Sequence, residues 1–192
     1  AVQLLGLNSA ERWDENGKKK LKETVKKLLE SENTRVRAGA IDVWSGIYQE
    51  NDSELYMRNL DYISYTVNGA ALNALVKADA TKAMPVAIKG LESDNSSWAV
   101  SCGEVIAQAG TAQEVSAADS IFKTKSSWAR LRFYVSLTDN ISRGGDVGKK
   151  MVDILADAAL NDPSRTIVYY APRLLQQSAD AMEESAKTAE KT

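Results

Sequence analysis

One face pattern recurs along this chain at an even spacing, and it decides most of what the chain can fold into. From Val36, apolar residues follow at offsets of 4, 7, 8 and 11: Ala40, Val43, Trp44 and Ile47. Such offsets line one side of an α-helix, whose turn takes about 3.6 residues. Advancing 31 residues gives Val67, Ala71, Ala74, Leu75 and Ala78, and 31 more gives Trp98, Cys102, Val105, Ile106 and Ala109. The next step of 31 reaches Ala129, Phe133, Ser136, Leu137 and Asn140, which is polar at its end. After a gap of 38 the series closes on Ile167, Ala171, Leu174, Leu175 and Ser178. Helices with one oily side each cannot bury it alone; they have to lie against one another.

Each striped helix is preceded by a residue able to cap it. Asn33 or Thr34, Ser64, Ser96 or Ser97, Ser126 or Ser127, and Ser164 can each accept a hydrogen bond from a free N–H of a first turn. The tetrapeptide Ser-Ser-Trp-Ala occurs twice, at 96–99 and 126–129, and is read as a cap and first turn in both places. Its copies are 30 residues apart while the stripe repeats every 31, so Trp128 is expected one position earlier on its helix than Trp98.

Partner helices fall between. Leu21, Val25, Leu28 and Leu29 form one stripe, Ala83, Ala87 and Leu91 a second, and Val147, Met151, Ile154, Leu155 and Ala158 a third. The partners near NDSELYMRNL and QEVSAADSIF are expected to be short. Pro85 is expected in the early turns of its helix, where a missing N–H costs little. Asn51-Asp52, Asp94-Asn95, Gly110, Gly144-Gly145 and Asn161-Asp162 mark the joints, and no segment alternates as a strand would. The expected fold is all-α, an α-solenoid of antiparallel helix pairs of the HEAT or armadillo kind. It would hold about five repeats in one domain over residues 1–192.

The two ends differ. AMEESAKTAEKT is charged and small, a polar helix end expected over 180–192. AVQLLGLNSAERW carries Leu4, Leu5 and Leu7, and stepping back 31 from Val36 lands on Leu5 with Trp13 at offset 8. It is expected to belong to another repeat, cut from a larger protein.

Histidine is absent from all 192 residues. A Ser-His-Asp hydrolase, a Cys-His protease and an H-E-x-x-H zinc enzyme are therefore excluded within this chain. Its net charge of −2 makes the whole chain no electrostatic trap for nucleic acid or anionic lipid, and no apolar run reaches membrane-spanning length. The single cysteine, Cys102, excludes an internal disulfide. It takes the offset-4 slot filled by Ala40, Ala71 and Ala171 on other helices, and is read as a core residue rather than a catalytic thiol.

The remaining motifs reduce to structure. SRGGDVGKK, 142–150, has Arg143 where a Walker loop needs glycine and Lys150 where it needs Ser or Thr. Gly145-Asp146-Val147-Gly148 imitates the clamp of a KH domain without the sheet such a domain requires, and Asp146 is expected to cap a helix starting at Val147. Lys18, Lys19, Lys20, Lys22, Lys26 and Lys27 read as the solvated side of an amphipathic helix diluted by Glu23, Glu30 and Glu32, with no nucleic acid partner. Asp153 and Asp157, one turn apart, read as surface charge. Tyr169, Tyr170 and Arg173 cannot all face the core if Ile167 and Ala171 do, and some of them are expected to point outward.

One stretch is more specific. Ser64 to Ala83, SYTVNGAALNALVKADATKA, resembles the C-terminal HEAT-like helical region of bacterial aminopeptidase N-like zinc peptidases. A pattern close to S-Y-x-V-x-x-A-A-L-x-A-L-x-K-x-D-x-x-K-A recurs there. It is met here by Ser64, Tyr65, Val67, Ala70, Ala71, Leu72, Ala74, Leu75, Lys77, Asp79, Lys82 and Ala83. ENTRVRAGAIDVW looks like the preceding repeat, and GKKMVDILADAALNDPSRTIV is similar, more loosely, to the region's end. The resemblance implies a non-catalytic C-terminal domain that packs in cis on the catalytic domain and helps enclose the peptide substrate. Zinc, the H-E-x-x-H helix, the further glutamate ligand and the G-x-M-E-N segment would all belong to that other domain. No catalytic or metal residue carries over to this chain, and a monomer is expected. The alternative is an independent HEAT-like scaffold that binds a protein along its concave face.

Overall fold

The computed structural model describes residues 14–46 and 51–189, the side chains of 15 and 181–189 excepted. Among the described residues there are ten α-helices, one 3-10 turn and no strand. They are α1 (Glu15–Leu28), α2 (Thr34–Gly46), α3 (Ser53–Leu60), α4 (Tyr65–Ala78), α5 (Ala80–Gly90), α6 (Ser96–Ala109), α7 (Ala112–Phe122), α8 (Ser127–Asn140), α9 (Gly145–Asn161) and α10 (Arg165–Ala189). The all-helical class read from the stripes is the observed one.

Most joints end where a side chain can take a free N–H. Asn33 accepts from Arg35 and Val36 at 3.1 and 3.3 Å, and Asp52 accepts from Leu55 at 3.0 Å. Thr111 and Glu114 close a reciprocal capping box ahead of α7. Ser126 takes the N–H of Ala129 at 3.3 Å. Three caps differ from expectation. Ser64 stands at the N-cap position of α4, but its side chain makes no capping bond. Asn95, not Ser96 or Ser97, caps α6 by accepting from Trp98 at 3.0 Å, so the first Ser-Ser-Trp-Ala lies wholly inside its helix. Asp146 is not a cap either: α9 starts at Gly145, two residues before the expected Val147, behind Gly144. Gly144 and Gly145 have φ of +67° and +55°, a left-handed path that only glycine follows cheaply, and it completes the turn before Asp146 is reached. Pro85 lies in the second turn of α5 rather than its first, at its sixth residue, where the missing N–H removes a real helix bond.

The chain divides between Val86 and Ala87 into two compact units. In the first, α2 packs on α4, α1 lies on α2, and α3 lies on α4. In the second, α6 packs on α8 and α8 on α10, while α9 packs on α7 and α10. The helices in contact within each unit are largely the striped ones. None of the described stripe positions is exposed, and Ala40, Val67, Ala71, Cys102, Ile106, Phe133, Ile167 and Ala171 are completely buried. Ile47, Leu4, Leu5, Leu7 and Trp13 lie outside the described residues, as do the side chains of the C-terminal polar stretch.

Candidate functional site

The most organised polar chemistry sits at the joints, in residues one position beyond the start of three of the five stripes. On α8 this is Arg130, 7% exposed. Its Nε and Nη2 donate to the two oxygens of Asp162 at 3.0 Å each, and Nη1 donates to the carbonyl of Lys125 at 2.6 Å. Asp162 stands just before α10 and also accepts the N–H of Ser164 at 2.8 Å. On α2 the same position is Arg37, whose Nε donates to Asn59 at 2.7 Å and whose guanidinium lies 4.4 Å from the centre of the Tyr62 ring. On α4 it is Asn68, buried, whose amide donates to the carbonyls of Asn59, Leu60 and Tyr62. An apolar stripe does not mark these polar positions. Their signal was an arginine at the same offset, one residue after Val36 and one after Ala129.

A second tie links α7, α8 and α9. Lys123 pairs with Asp119 at 3.1 Å and Asp157 at 2.8 Å, and the Tyr134 hydroxyl reaches Asp119 at 3.5 Å. Burial raises the Asp119 carboxyl above the ordinary aspartate range, with Lys123 opposing it. Asp157 moves the other way, lowered first by its hydrogen bond from Lys123 and then by that from Asn161. Burial, with Asp119 nearby, pushes the Tyr134 hydroxyl well up. Arg143 turns away from the glycine-rich segment in which it stands. Its guanidinium donates to the carbonyls of Ala107 and Gly110 at 2.7 Å each, capping the C-terminal end of α6.

The other sequence candidates are spread apart. Asp153 pairs with Lys149 at 3.0 Å, and Asp157 with Lys123, so the two carboxylates serve separate contacts and share no site. Lys19, Lys20, Lys26 and Lys27 lie on the exposed side of α1, while Lys22 rests 5.4 Å from the centre of the Trp44 ring. Cys102 is fully buried, and burial pushes its thiol up to about 12. Such a thiol stays protonated and is a poor nucleophile and metal ligand. Zinc finds no fit here: among the described residues no three His, Cys, Asp or Glu side chains gather to hold a metal. Among those residues, too, no helix is long and apolar enough to cross a membrane.

Two features of the described surface, both in the second unit, bring polar and aromatic side chains together. A cleft of about 230 Å³ between α6 and α8 is lined by Glu104, Gln108, Arg132, Val135, Asp139 and Asn140. Glu104 and Arg132 pair in it at 3.1 Å, and the Ser136 hydroxyl beside them donates to the Phe133 carbonyl at 2.7 Å. That hydroxyl is engaged by a carbonyl of its own helix. The other surface is the cluster at Tyr169, Tyr170 and Arg173, which the structure does bring together. The Arg173 guanidinium lies 3.7 Å from the centre of the Tyr169 ring, and the two tyrosines meet edge to face at 5.2 Å. Both rings are about half exposed, at 56% and 45%. Tyrosine and arginine held rigidly at a surface are the residue types that anchor protein interfaces. No protein-family model, curated protein or solved structure matches this chain.

Proposed function

We propose that this chain is a non-catalytic helical domain of an aminopeptidase N-like zinc peptidase. Its helix pairs would form a HEAT-like solenoid of about five repeats that packs on the catalytic domain and helps enclose the peptide substrate. The observation that carries this reading is what the residues of the resembling stretch do. Val67, Ala71, Leu72, Ala74, Leu75 and Ala83 are buried in helix contacts, and Ser64 stands at the N-terminal boundary of α4. Asp79 accepts the Lys82 N–H at 3.2 Å at the head of α5 and pairs with the Lys82 ammonium. Eight of the twelve pattern residues are buried in the packing or paired at a helix head, while Tyr65 and Lys77 are exposed, a distribution that supports a structural module. The joint residues Arg37 and Arg130 add to the solenoid reading, since from one register position each reaches the segment ahead of the next striped helix.

The test has two parts. Purified chain incubated with leucine p-nitroanilide and zinc should release no nitroaniline; zinc-dependent turnover would overturn the non-catalytic assignment. Sequencing the coding region ahead of Ala1 should reveal an H-E-x-x-H helix in the same frame, and an upstream region without one would overturn the peptidase assignment. The second reading, an independent scaffold for a protein partner, is favoured by the exposed cluster of Tyr169, Tyr170 and Arg173.

A further inference from the structure

The outward side of the striped helices has a register of its own. In the first unit, offset 6 on α2 is Asp42 and offset 10 on the next striped helix, α4, is Lys77. Desolvation raises the Asp42 carboxyl and the nearby Lys77 charge lowers it, so the chain supplies that carboxylate with its own cation. In the second unit the same two positions, on α6 and α8, hold Glu104 and Asp139. Both line the cleft of about 230 Å³, which therefore carries a second carboxylate where the first unit has an ammonium. Arg132 answers only one of them. It pairs with Glu104 at 3.1 Å, and stands seven residues, about 10.5 Å along the helix axis, from Asp139. Asp139 is exposed, and among the described residues its carboxylate accepts no hydrogen bond and joins no ion pair.

The neighbouring polar groups add acceptors. The Ser136 hydroxyl donates to the Phe133 carbonyl at 2.7 Å, and the Asn140 amide donates to the Ser136 carbonyl at 2.8 Å. These bonds commit donors to α8 itself and leave the Ser136 lone pairs and the Asn140 oxygen to receive N–H groups. Gln108 contributes an amide, and Val135 a strip of apolar wall. We propose that the cleft between α6 and α8 binds an alkyl guanidinium group, with Asp139 as its counter-charge, Asn140 and Gln108 accepting further N–H groups and Val135 against the alkyl stem. A guanidinium spreads five donors over a plane and can reach several acceptors at once, and it sheds water more readily than an ammonium, whose three donors leave one point. The site lies wholly within the second unit and is independent of the peptidase reading.

Amide NMR titration of the 192-residue chain with ethylguanidinium, up to about 50 mM, should move the signals of residues 104–108 and 132–140 with a dissociation constant of about 1–10 mM. Ethylammonium should bind at least about fivefold more weakly. Asp139→Asn should weaken ethylguanidinium at least about tenfold with the helical circular dichroism unchanged, and Asp153→Asn, on the exposed side of α9, should leave binding as it was. A third probe, acetyl-Gly-Arg-Gly-amide, separates the sources of the group. Tighter binding than ethylguanidinium assigns the cleft to an arginine of a polypeptide, equal or weaker binding assigns it to a free guanidinium compound, and both support the site. No shift at these residues by 50 mM, ethylammonium binding as tightly, or unchanged affinity in Asp139→Asn would each overturn the proposal.

Discussion

Replacing Arg130 with methionine keeps much of the side chain's length and removes its charge and five N–H donors. The Arg130 side chain is 9% exposed, and that of Asp162, whose carboxylate it grips, is 3% exposed. Without Arg130 the carboxylate keeps only the Ser164 N–H among its observed partners, and the Lys125 carbonyl loses a 2.6 Å bond. Stranding a buried charge in this way typically costs about 3–5 kcal/mol, a large share of the roughly 5–15 kcal/mol that holds an ordinary domain together. Arg132 supplies an internal control two residues along the same helix. It also pairs with a carboxylate, Glu104 at 3.1 Å, but its side chain is 51% exposed. Arg132→Met should cost no more than about 1 kcal/mol, as for other surface pairs. Urea unfolding followed by tryptophan fluorescence measures both. Arg130→Met should lower the midpoint strongly at an unchanged slope, and Arg132→Met should barely move it. Equal effects for the two arginines, or a loss below about 1 kcal/mol for Arg130→Met, would refute the idea that the joint is held by a buried ion pair.

Three other outcomes follow from the packing and the charges. The two tryptophans of the repeated tetrapeptide should part company: Trp98→Ala, beside Gly90, should cost about 3 kcal/mol or more, and Trp128→Ala, 52% exposed, under about 1 kcal/mol by the same unfolding assay. Gly90→Ala should destabilise by about 1–3 kcal/mol in thermal melts, because a Cβ there would run into the Cys102 sulfur and come within 2.8 Å of Trp98 Nε1. Carbon-detected NMR titration should find the Asp119 carboxyl midpoint above, and the Asp157 midpoint below, that of an unstructured aspartate. For Asp119 the native state holds its proton more tightly than the unfolded chain. Its contribution to stability therefore falls as pH rises from the ordinary aspartate value through the raised one, and Asp157 works in the opposite sense from below the ordinary value.

The stripes were legible because burial on one side of a helix leaves a 3.6-residue period that no other requirement imitates. Cys102 was legible for the same reason, as a small residue in a slot otherwise filled by alanine. Cap identity was harder to read where several polar residues adjoin. Asp94, Asn95, Ser96 and Ser97 can all cap, and which one does depends on where the preceding turn releases the chain. The Asp146 expectation failed on backbone geometry: two successive glycines at positive φ start the helix early, and nothing in a hydrophobic pattern reports φ. Arg143 could not be placed from sequence, since its partners are main-chain carbonyls 33 and 36 residues away, and carbonyls are the same at every position. The paired roles of Tyr169 and Arg173 lay closer to hand, being one helical turn apart on a side the stripe leaves free.

The joint residues also explain how a chain of such similar helices settles on one register. Apolar stripes attract without direction, and sliding one helix past its neighbour by a turn, about 5.4 Å, would still set apolar side chains against apolar ones. The buried polar groups do not survive that slide. The fork of Arg130 would miss Asp162, and the Asn68 amide would leave the carbonyls of Asn59, Leu60 and Tyr62. A slipped packing would then hold unpaired polar groups away from water, each costing about 1–3 kcal/mol and more for the charges. Well-packed leucines in the same places could give equal or greater stability, but they would tolerate the slip. The position one residue past the stripe's start therefore does different work along the chain. It is polar and tied to a joint on α2, α4 and α8, small and buried as Ala99 on α6, and apolar and 38% exposed as Val168 on α10.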